Sequence, residues 1–382
     1  MVSAVLATAM ALALGAVAGA PAAALATVGP LAVTPQVAGW TTPVMVWDGN
    51  YSEPSVAVDA HGKVHIVARG DTGIWYLTNK SGHWTRTRLT TDYTSGQYTF
   101  VGEQPQIAID PWDGSLTMVY LRSDNDMPSS SDVRYVTNRS GAWSAPRSIP
   151  SPHDGDMRSD PSLVVRHGVI AVATTLGGWD FYTTVEFLTN ASGHWTSALV
   201  GPERTSGPFE PSLALDSHGR PVIAYVTGFG ASPPVTKLHL ARGATKTGRF
   251  TTSTVAASNS RSPSLALDAH DQPRLAWRAD DGIHYAYRSA SGWHVATVMG
   301  FGADVQLRLD PSGHPRILIA AFDAGLWYAT KTSSGWHSVR LDPREIHSGS
   351  MAIGAGGRVS VGYPCPKSSV DANPRVWFTH TN

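Results

Sequence analysis

Seven positions, each just ahead of a recurring short phrase, carry side chains suited to chemistry: Glu53, Gln104, Asp160, Glu210, Ser262, Asp304 and Ser348. Four of the seven are carboxylates, and Glu103, Phe209, Arg261 and His347 directly precede four of the ring positions. A second set, Tyr120, Thr174, Tyr225, Trp277 and Tyr363, ends an apolar run in the same repeats, with Arg122 and Arg278 close behind two of them. Carboxylates, guanidinium groups and flat rings converging on one concavity suit a sugar, whose hydroxyls take directional hydrogen bonds while its C–H face stacks on Trp or Tyr. The residues expected to touch such a ligand are Glu53, Glu103, Arg122, Asp160, Trp179, Glu210, Tyr225, Arg261, Trp277, Arg278, Asp304, His347 and Tyr363. Were the site catalytic, Asp160 and Glu210 would supply the acid and base of a hydrolysis. Alternatively, Tyr225 would be the base of an elimination, with an arginine neutralising a uronate.

The elements that must hold these residues are legible as repeats. The phrase Pro54-Ser55-Val56-Ala57-Val58-Asp59 returns as Pro105-Gln106-Ile107-Ala108-Ile109-Asp110, Pro161-Ser162-Leu163-Val164-Val165, Pro211-Ser212-Leu213-Ala214-Leu215-Asp216 and Pro263-Ser264-Leu265-Ala266-Leu267-Asp268. Two weaker copies follow, Val305-Gln306-Leu307-Arg308-Leu309-Asp310 and Ser350-Met351-Ala352-Ile353, so that the seven start 42 to 56 residues apart. Each phrase alternates as a strand and ends at an Asp-x-x-Gly type of turn, where the Asp can bond amides two residues on. A second strand follows, then an aromatic third such as Ile74-Trp75-Tyr76-Leu77, then a Ser-Gly turn and a Trp opening a fourth. Four antiparallel strands per unit at this pitch predict an all-β fold, a seven-bladed β-propeller. The last copy ends after its third strand, and Gly39-Trp40-Thr41-Thr42-Pro43-Val44-Met45-Val46 reads like a fourth, so the N-terminal strand is expected to complete the last blade and close the ring. The longest, most variable connections are Thr91–Gln104, Arg122–Asp132, Pro150–Asp160, Leu176–Thr183, Thr227–Val235 and Pro364–Pro374. Strand alternation puts them all at one end of the channel, together with the seven ring positions.

These repeats resemble those of secreted bacterial seven-bladed propellers, a group that includes propeller lectins and is distantly similar to sialidase-like propellers. The resemblance spans nearly all of the chain after residue 26 and rests on turn and core motifs, so it implies fold more than function. The sialidase Asp-box, Ser-x-Asp-x-Gly-x-Thr-Trp, is absent from every copy. The resulting expectation is a lectin-like, carbohydrate-binding module with its site at the channel mouth. The alternatives are an extracellular polysaccharide-degrading hydrolase or lyase, and a protein-binding scaffold. Near-repetition around the ring favours binding, whereas concentration of Glu103, Asp160, Glu210, Arg122, Arg261, His153 and Tyr225 in blades two to five favours catalysis.

Composition narrows the field further. With 29 Lys+Arg against 29 Asp+Glu, formal net charge is zero and basic residues are scattered, which excludes bulk-charge binding to nucleic acid or membrane. The stretch from Val2 to Ala26 is Ala/Leu/Val-rich and ends in Ala24-Leu25-Ala26, so residues 1–26 are expected to be a secretory signal peptide and 27–382 one extracellular domain, a monomer. Cys365 is the one cysteine, flanked by prolines; it is expected to be shielded and not catalytic. No cofactor is expected; calcium is the ion that Asp124-Asn125-Asp126 and Asp154-Gly155-Asp156 could take, though neither has EF-hand spacing. His61, His218 and His270 fall in the short turns of the opposite face, and Asn79, Asn138 and Asn190 sit in Asn-x-Ser sequences whose equivalent placement points to turn chemistry ahead of glycosylation.

Overall fold

A computed structural model describes residues 37–48, 51–91, 100–124, 127–153, 156–177, 183–205, 209–228, 236–257, 259–366 and 373–382. The expected Trp179, the centre of both candidate calcium loops and the segment 1–26 lie outside these residues. Among the described residues there is no helix, and seven four-stranded antiparallel sheets form the blades of a propeller. The first strands, which line the central channel, are Tyr51–Val58, Phe100–Ile109, Met157–Arg166, Phe209–Leu215, Arg261–Leu267, Asp304–Leu309 and Ser350–Ile353. In the seventh sheet the outermost strand is Val44–Trp47, paired antiparallel with Pro374–His380 through Val44 opposite Phe378 and Met45 opposite Trp377. The N-terminal strand thus closes the ring, as the truncated seventh repeat requires, and the seventh blade is left with no missing strand for another chain to fill.

Two sets of contacts stitch blade to blade, and both come from repeat residues. Each first strand is the inner edge of its sheet and has amides its own neighbour cannot satisfy. The serine of the repeat phrase takes one from the next blade: the Ile107 N–H donates to Ser55 Oγ (3.1 Å), Leu213 to Ser162 (2.9 Å), Leu265 to Ser212 (2.9 Å) and Leu307 to Ser264 (2.8 Å). The Met351 N–H donates to the Gln306 amide oxygen, and the Val56 N–H closes the circle on Ser350 Oγ at 2.9 Å. At the outer end, fourth-strand aromatics pack edge-on against third-strand aromatics of the preceding blade: Trp143 on Tyr76 (5.1 Å), Trp336 on Tyr285 (5.2 Å), Trp40 on Tyr328 (4.9 Å) and Trp84 on Phe378 (5.3 Å). Such pairs add about 0.5–1.5 kcal/mol each beyond the area they bury. The Trp residues after the Ser-Gly turns are therefore structural, as expected.

Ser350→Ala would leave the buried Val56 N–H without an acceptor at the closing junction, which costs about 1–2 kcal/mol. Chemical denaturation should show that loss with an unchanged m-value; a variant as stable as the parent would mean that the junction is held by the outer strands alone.

The turns behave as their chemistry dictates. Asp59 Oδ1 accepts the His61 and Lys63 amides, and Asp216, Asp268 and Asp310 repeat the pattern. Asn79, Asn138 and Asn190 each accept at Oδ1 an N–H from the start of a second strand, that of Val64, Leu116 and Ile170, at 2.7–2.8 Å. On the mouth face, blades one, five and six connect strands two and three by tight turns through Gly73, Gly282 and Gly325, at φ +126, +124 and +84°. A Cβ there would sit 2.1–2.2 Å from a backbone oxygen, so glycine is required. Cys365 is not in a loop: it is a fully buried residue of the strand Val359–Pro366, where burial pushes its thiol up to about 12. The two prolines fall at the end of the pairing with Pro374–His380 and do not break it.

Candidate functional site

The ring positions owe their geometry to a shared backbone device. Glu53, Gln104, Asp160, Glu210 and Ser262 all have left-handed φ, between 46 and 56°, and all precede proline. In each case the residue and its proline face a single partner on the second strand: Glu53-Pro54 lies opposite Ala68, Glu210-Pro211 opposite Tyr225 and Ser262-Pro263 opposite Trp277. These are β-bulges, which re-aim a side chain away from the strand's alternation. Non-glycine residues held left-handed cost on the order of 1 kcal/mol or more each, and five in register mark a place where the backbone serves the site. Asp304 and Ser348 belong to the two blades without the Pro bulge; Asp304 pairs regularly with Ala320.

The mouth is one hydrogen-bonded arc on the side of blades one to three. Glu53 Oε2 accepts the Gln104 N–H (2.6 Å), Gln104 Oε1 accepts the Asp160 N–H (2.7 Å), and Gln104 Nε2 donates to Asp160 Oδ1 (3.3 Å). Ser159 Oγ donates to the other Asp160 oxygen at 2.7 Å. Asp160 is thereby fixed as an orienting group, with both oxygens engaged. Glu210 accepts the Ser262 N–H, and Arg69 sits between Glu53 (3.9 Å) and Glu103 (3.5 Å). Arg69 was not among the expected residues, although it stands opposite Ser52 just as Arg278 stands opposite Arg261. That equivalence was the available signal.

Electrostatics separate the carboxylates. Desolvation raises Glu53 and Glu210 above the usual carboxylate range, and the negative charge of Asp160 raises Glu210 further. Asp304 is pushed up to about 6, chiefly by its enclosure in the channel wall and slightly by the charge of Glu210. Asp304 therefore keeps its proton into mildly acidic pH, an arrangement found where acid–base chemistry is done.

Asp304 makes a stability prediction whose sign is fixed by its upward shift from 3.8. A carboxyl raised by folding stabilises the native state fully below about pH 4 and loses that contribution as pH rises through about 6. Asp304→Asn is thus expected to stabilise the protein by about 1–3 kcal/mol at pH 8 and hardly at pH 4, measured by urea unfolding at both. Equal effects at the two pH values would place the Asp304 carboxyl in ordinary solvent.

The strand-two aromatics take a different place from the one expected. Tyr120, Tyr225, Trp277 and Tyr363 are at most 2% exposed, in the cores between blades. The Tyr225 hydroxyl lies against Gly201, where a Cβ would come within 2.6 Å of it, and burial raises its phenol, the wrong direction for a base. The Tyr363 hydroxyl donates to Asp342 Oδ2 at 2.8 Å, and Trp277 stacks on His284. Their strands do end at the mouth, but these side chains point between blades. Tyr225 and Trp277 lie opposite the bulges of Glu210 and Ser262, so they support the ring and do not face a ligand. Aromatics that are exposed on the mouth face come from connections the repeat pattern passed over: Phe301, three residues before Asp304, packs on Trp327 (5.6 Å), and Phe322 packs on His347 (4.8 Å). Arg122 is paired opposite Gly102 and Asp132, half-buried. Arg261 is exposed and lowers Glu210, partly opposing its other neighbours, while His347 pairs with Glu345 at 3.1 Å.

The ring opens into a cavity of about 840 Å³ running down the channel past the first strands of all seven blades. In fold the chain is similar to an ulvan lyase of polysaccharide lyase family 25 solved with a sulfated glucuronyl-rhamnose oligosaccharide: TM-score 0.57, 11% identity, 87% of this chain and 95% of that one. It is similar also to virginiamycin B lyase from Staphylococcus aureus (TM-score 0.56, 11%, 90% and 99%) and to Trypanosoma rangeli sialidase (TM-score 0.50, 9%, 87% and 54%). At these identities the likeness is one of fold. No protein-family model and no curated protein matches the chain.

On the opposite face, ligand atoms of Asp216, His218 and Asp271 lie within 4.8 Å of one another, so these residues could hold a metal ion. Their oxygens are already in use, however: Asp216 Oδ2 takes Arg220 Nε (2.7 Å) and Asp271 takes the Ser217 amide and hydroxyl. These bonds clasp one turn to the next, and His218 lies in the short turn of the opposite face where it was expected.

Proposed function

We propose that the channel mouth is an acid–base site acting on a glycan, with Asp304 as the protonated acid and Glu210 as the ionised partner that activates water. One observation carries this reading: at the channel mouth burial moves two carboxyls upward, Asp304 to about 6 and Glu210 above its ordinary range, and the charge of Glu210 acts on Asp304. Asp160 holds Glu210's pKa up and orients the arc; Arg69 and Arg261 balance the charge. Phe301 and Phe322 supply flat apolar faces for the C–H side of a sugar. Two of the similar folds act on or bind glycans, the ulvan lyase and the sialidase, which supports the substrate class. The apolar N-terminal stretch supports secretion, where polymeric glycans are met.

A lectin-like role is the second reading, favoured by five left-handed ring residues in equivalent positions. The placement of Tyr225, Trp277 and Tyr363 in the core takes from it the stacking platforms it was expected to use. Incubating the purified protein with a panel of neutral and acidic polysaccharides and assaying new reducing ends and unsaturated products separates the two. Retention of intact glycan with no product on any of them would establish binding in place of cleavage.

A further inference from the structure

Below the mouth, one residue breaks the sevenfold pattern. The fourth position of the repeat phrase is Ala57, Ala108, Val164, Ala214, Ala266 and Ala352 in six blades and Arg308 in the remaining one, the sixth. Arg308 lines the cavity that runs down the channel, beside Ala57, Ala108, Val164, Ala214 and Ala352 of the other blades. Its guanidinium makes one hydrogen bond, from Nη1 to the carbonyl of its own neighbour Leu307 (2.9 Å), and no carboxylate pairs with it among the described residues. Two other arginines of these blades are matched, Arg274 with Asp268 in the fifth and Arg316 with Asp310 in the sixth, each at 2.7 Å. The nearest ring carboxyl on its own strand, Asp304, is four residues away, roughly 13 Å along an extended chain. Enclosure in the channel with no countercharge drives Arg308 down to about 10, a measure of how poorly it is solvated.

Arg308 is half-buried, and a half-buried cation without a countercharge is costly, so that a ligand supplying the missing charge offsets the cost. We propose that the middle of the channel is an anion site in which Arg308 binds a small monovalent oxyanion, a carboxylate above all, in the cavity it lines. The guanidinium fork matches a carboxylate with two parallel N–H···O bonds. The acidic ring above sets the size and charge: a multivalent anion entering past Glu53, Asp160, Glu210 and Asp304 is repelled more strongly than a monovalent one. The carboxylate comes either from a free small acid or from an acidic group on a larger ligand whose remainder stays at the mouth. The site does not depend on glycan cleavage, and each claim can fail without the other.

The test is thermal unfolding of the whole purified protein against sodium formate, methyl glucuronide and sodium sulfate, at ionic strength held constant with a bulky sulfonate buffer. At a hundredfold excess over its Kd, formate is expected to raise the midpoint by about 3–4 °C, with sulfate weaker. Methyl glucuronide stronger than formate would assign the anion to a larger ligand's carboxylate, and formate stronger would assign it to a free acid. Arg308→Ala, the residue of the other blades, should match or exceed the parent midpoint without anion and lose the response; Arg308→Lys should keep a weaker one. If neither formate nor methyl glucuronide shifts the parent, or if both shift Arg308→Ala equally, the inference is overturned.

Discussion

Asp304→Asn and Glu210→Gln should each reduce glycan cleavage about 100- to 10,000-fold in kcat, the usual contribution of a positioned acid or base, while leaving the fold intact. Both replacements keep shape and remove only the titrating group, and neither residue is in a blade-to-blade junction of the serine type. The wild-type rate should be bell-shaped in pH. Its alkaline limb falls through about 6, as Asp304 loses the proton it must donate. Its acid limb lies above the ordinary glutamate range, because desolvation and the Asp160 charge hold Glu210 up. Asp160→Asn then has a distinct signature. Removing that charge lowers the Glu210 pKa, so the acid limb moves to lower pH while the alkaline limb stays. Activity that survives both Asp304→Asn and Glu210→Gln, or a limb that fails to move in Asp160→Asn, would remove these residues from the chemistry.

The sequence disclosed the architecture almost completely because propeller repeats are local: each phrase, turn and Trp is set by contacts within one blade or with its neighbour. The seventh repeat lacking a fourth strand and the leading Gly39-Trp40 stretch were enough to place the closing strand now seen beside Pro374–His380. The ring positions were legible for the same reason, since whatever precedes the first strand must lie at the mouth. Side-chain direction was not. Tyr225 and Trp277 end strands at the mouth, yet their Cβ vectors point between blades, and a one-residue change of facing is invisible where a bulge has shifted the register. The left-handed residue before proline gave no signal, because that residue ordinarily prefers extended conformations. Arg308 falls in one of the weaker copies of the repeat phrase, and that it lines the channel cavity was visible only in the structure.

The largest loss of stability is expected beneath Asp160, where the fold buries an ion pair. Arg158 Nε and Glu186 Oε2 lie 3.0 Å apart at 2 and 0% exposure, and the pair is saturated: Ser151 and Ser197 hydroxyls donate to Glu186 Oε1, while Arg158 donates to the carbonyls of Ser131 (2.7 Å) and His153 (3.1 Å). Ser131 belongs to the preceding blade, so the network joins two blades under the mouth. Removing one partner strands a charge where water cannot reach it. Glu186→Ala should therefore cost about 3–5 kcal/mol by denaturant titration, whereas replacing both partners by Leu and Met should recover most of that loss. The same substitution bears on the site. Arg158 is two residues from Asp160 on one strand, and its backbone N–H donates to Ser131 Oγ at 2.6 Å, so loosening the network frees the bulge that aims Asp160. In the Leu/Met pair, stability should return further than activity, because an apolar core refills the volume without restoring the carbonyl contacts that set the strand's position. If the single variant unfolds at the parent midpoint, the pair is accessible to water and the blades are joined there by their apolar cores alone.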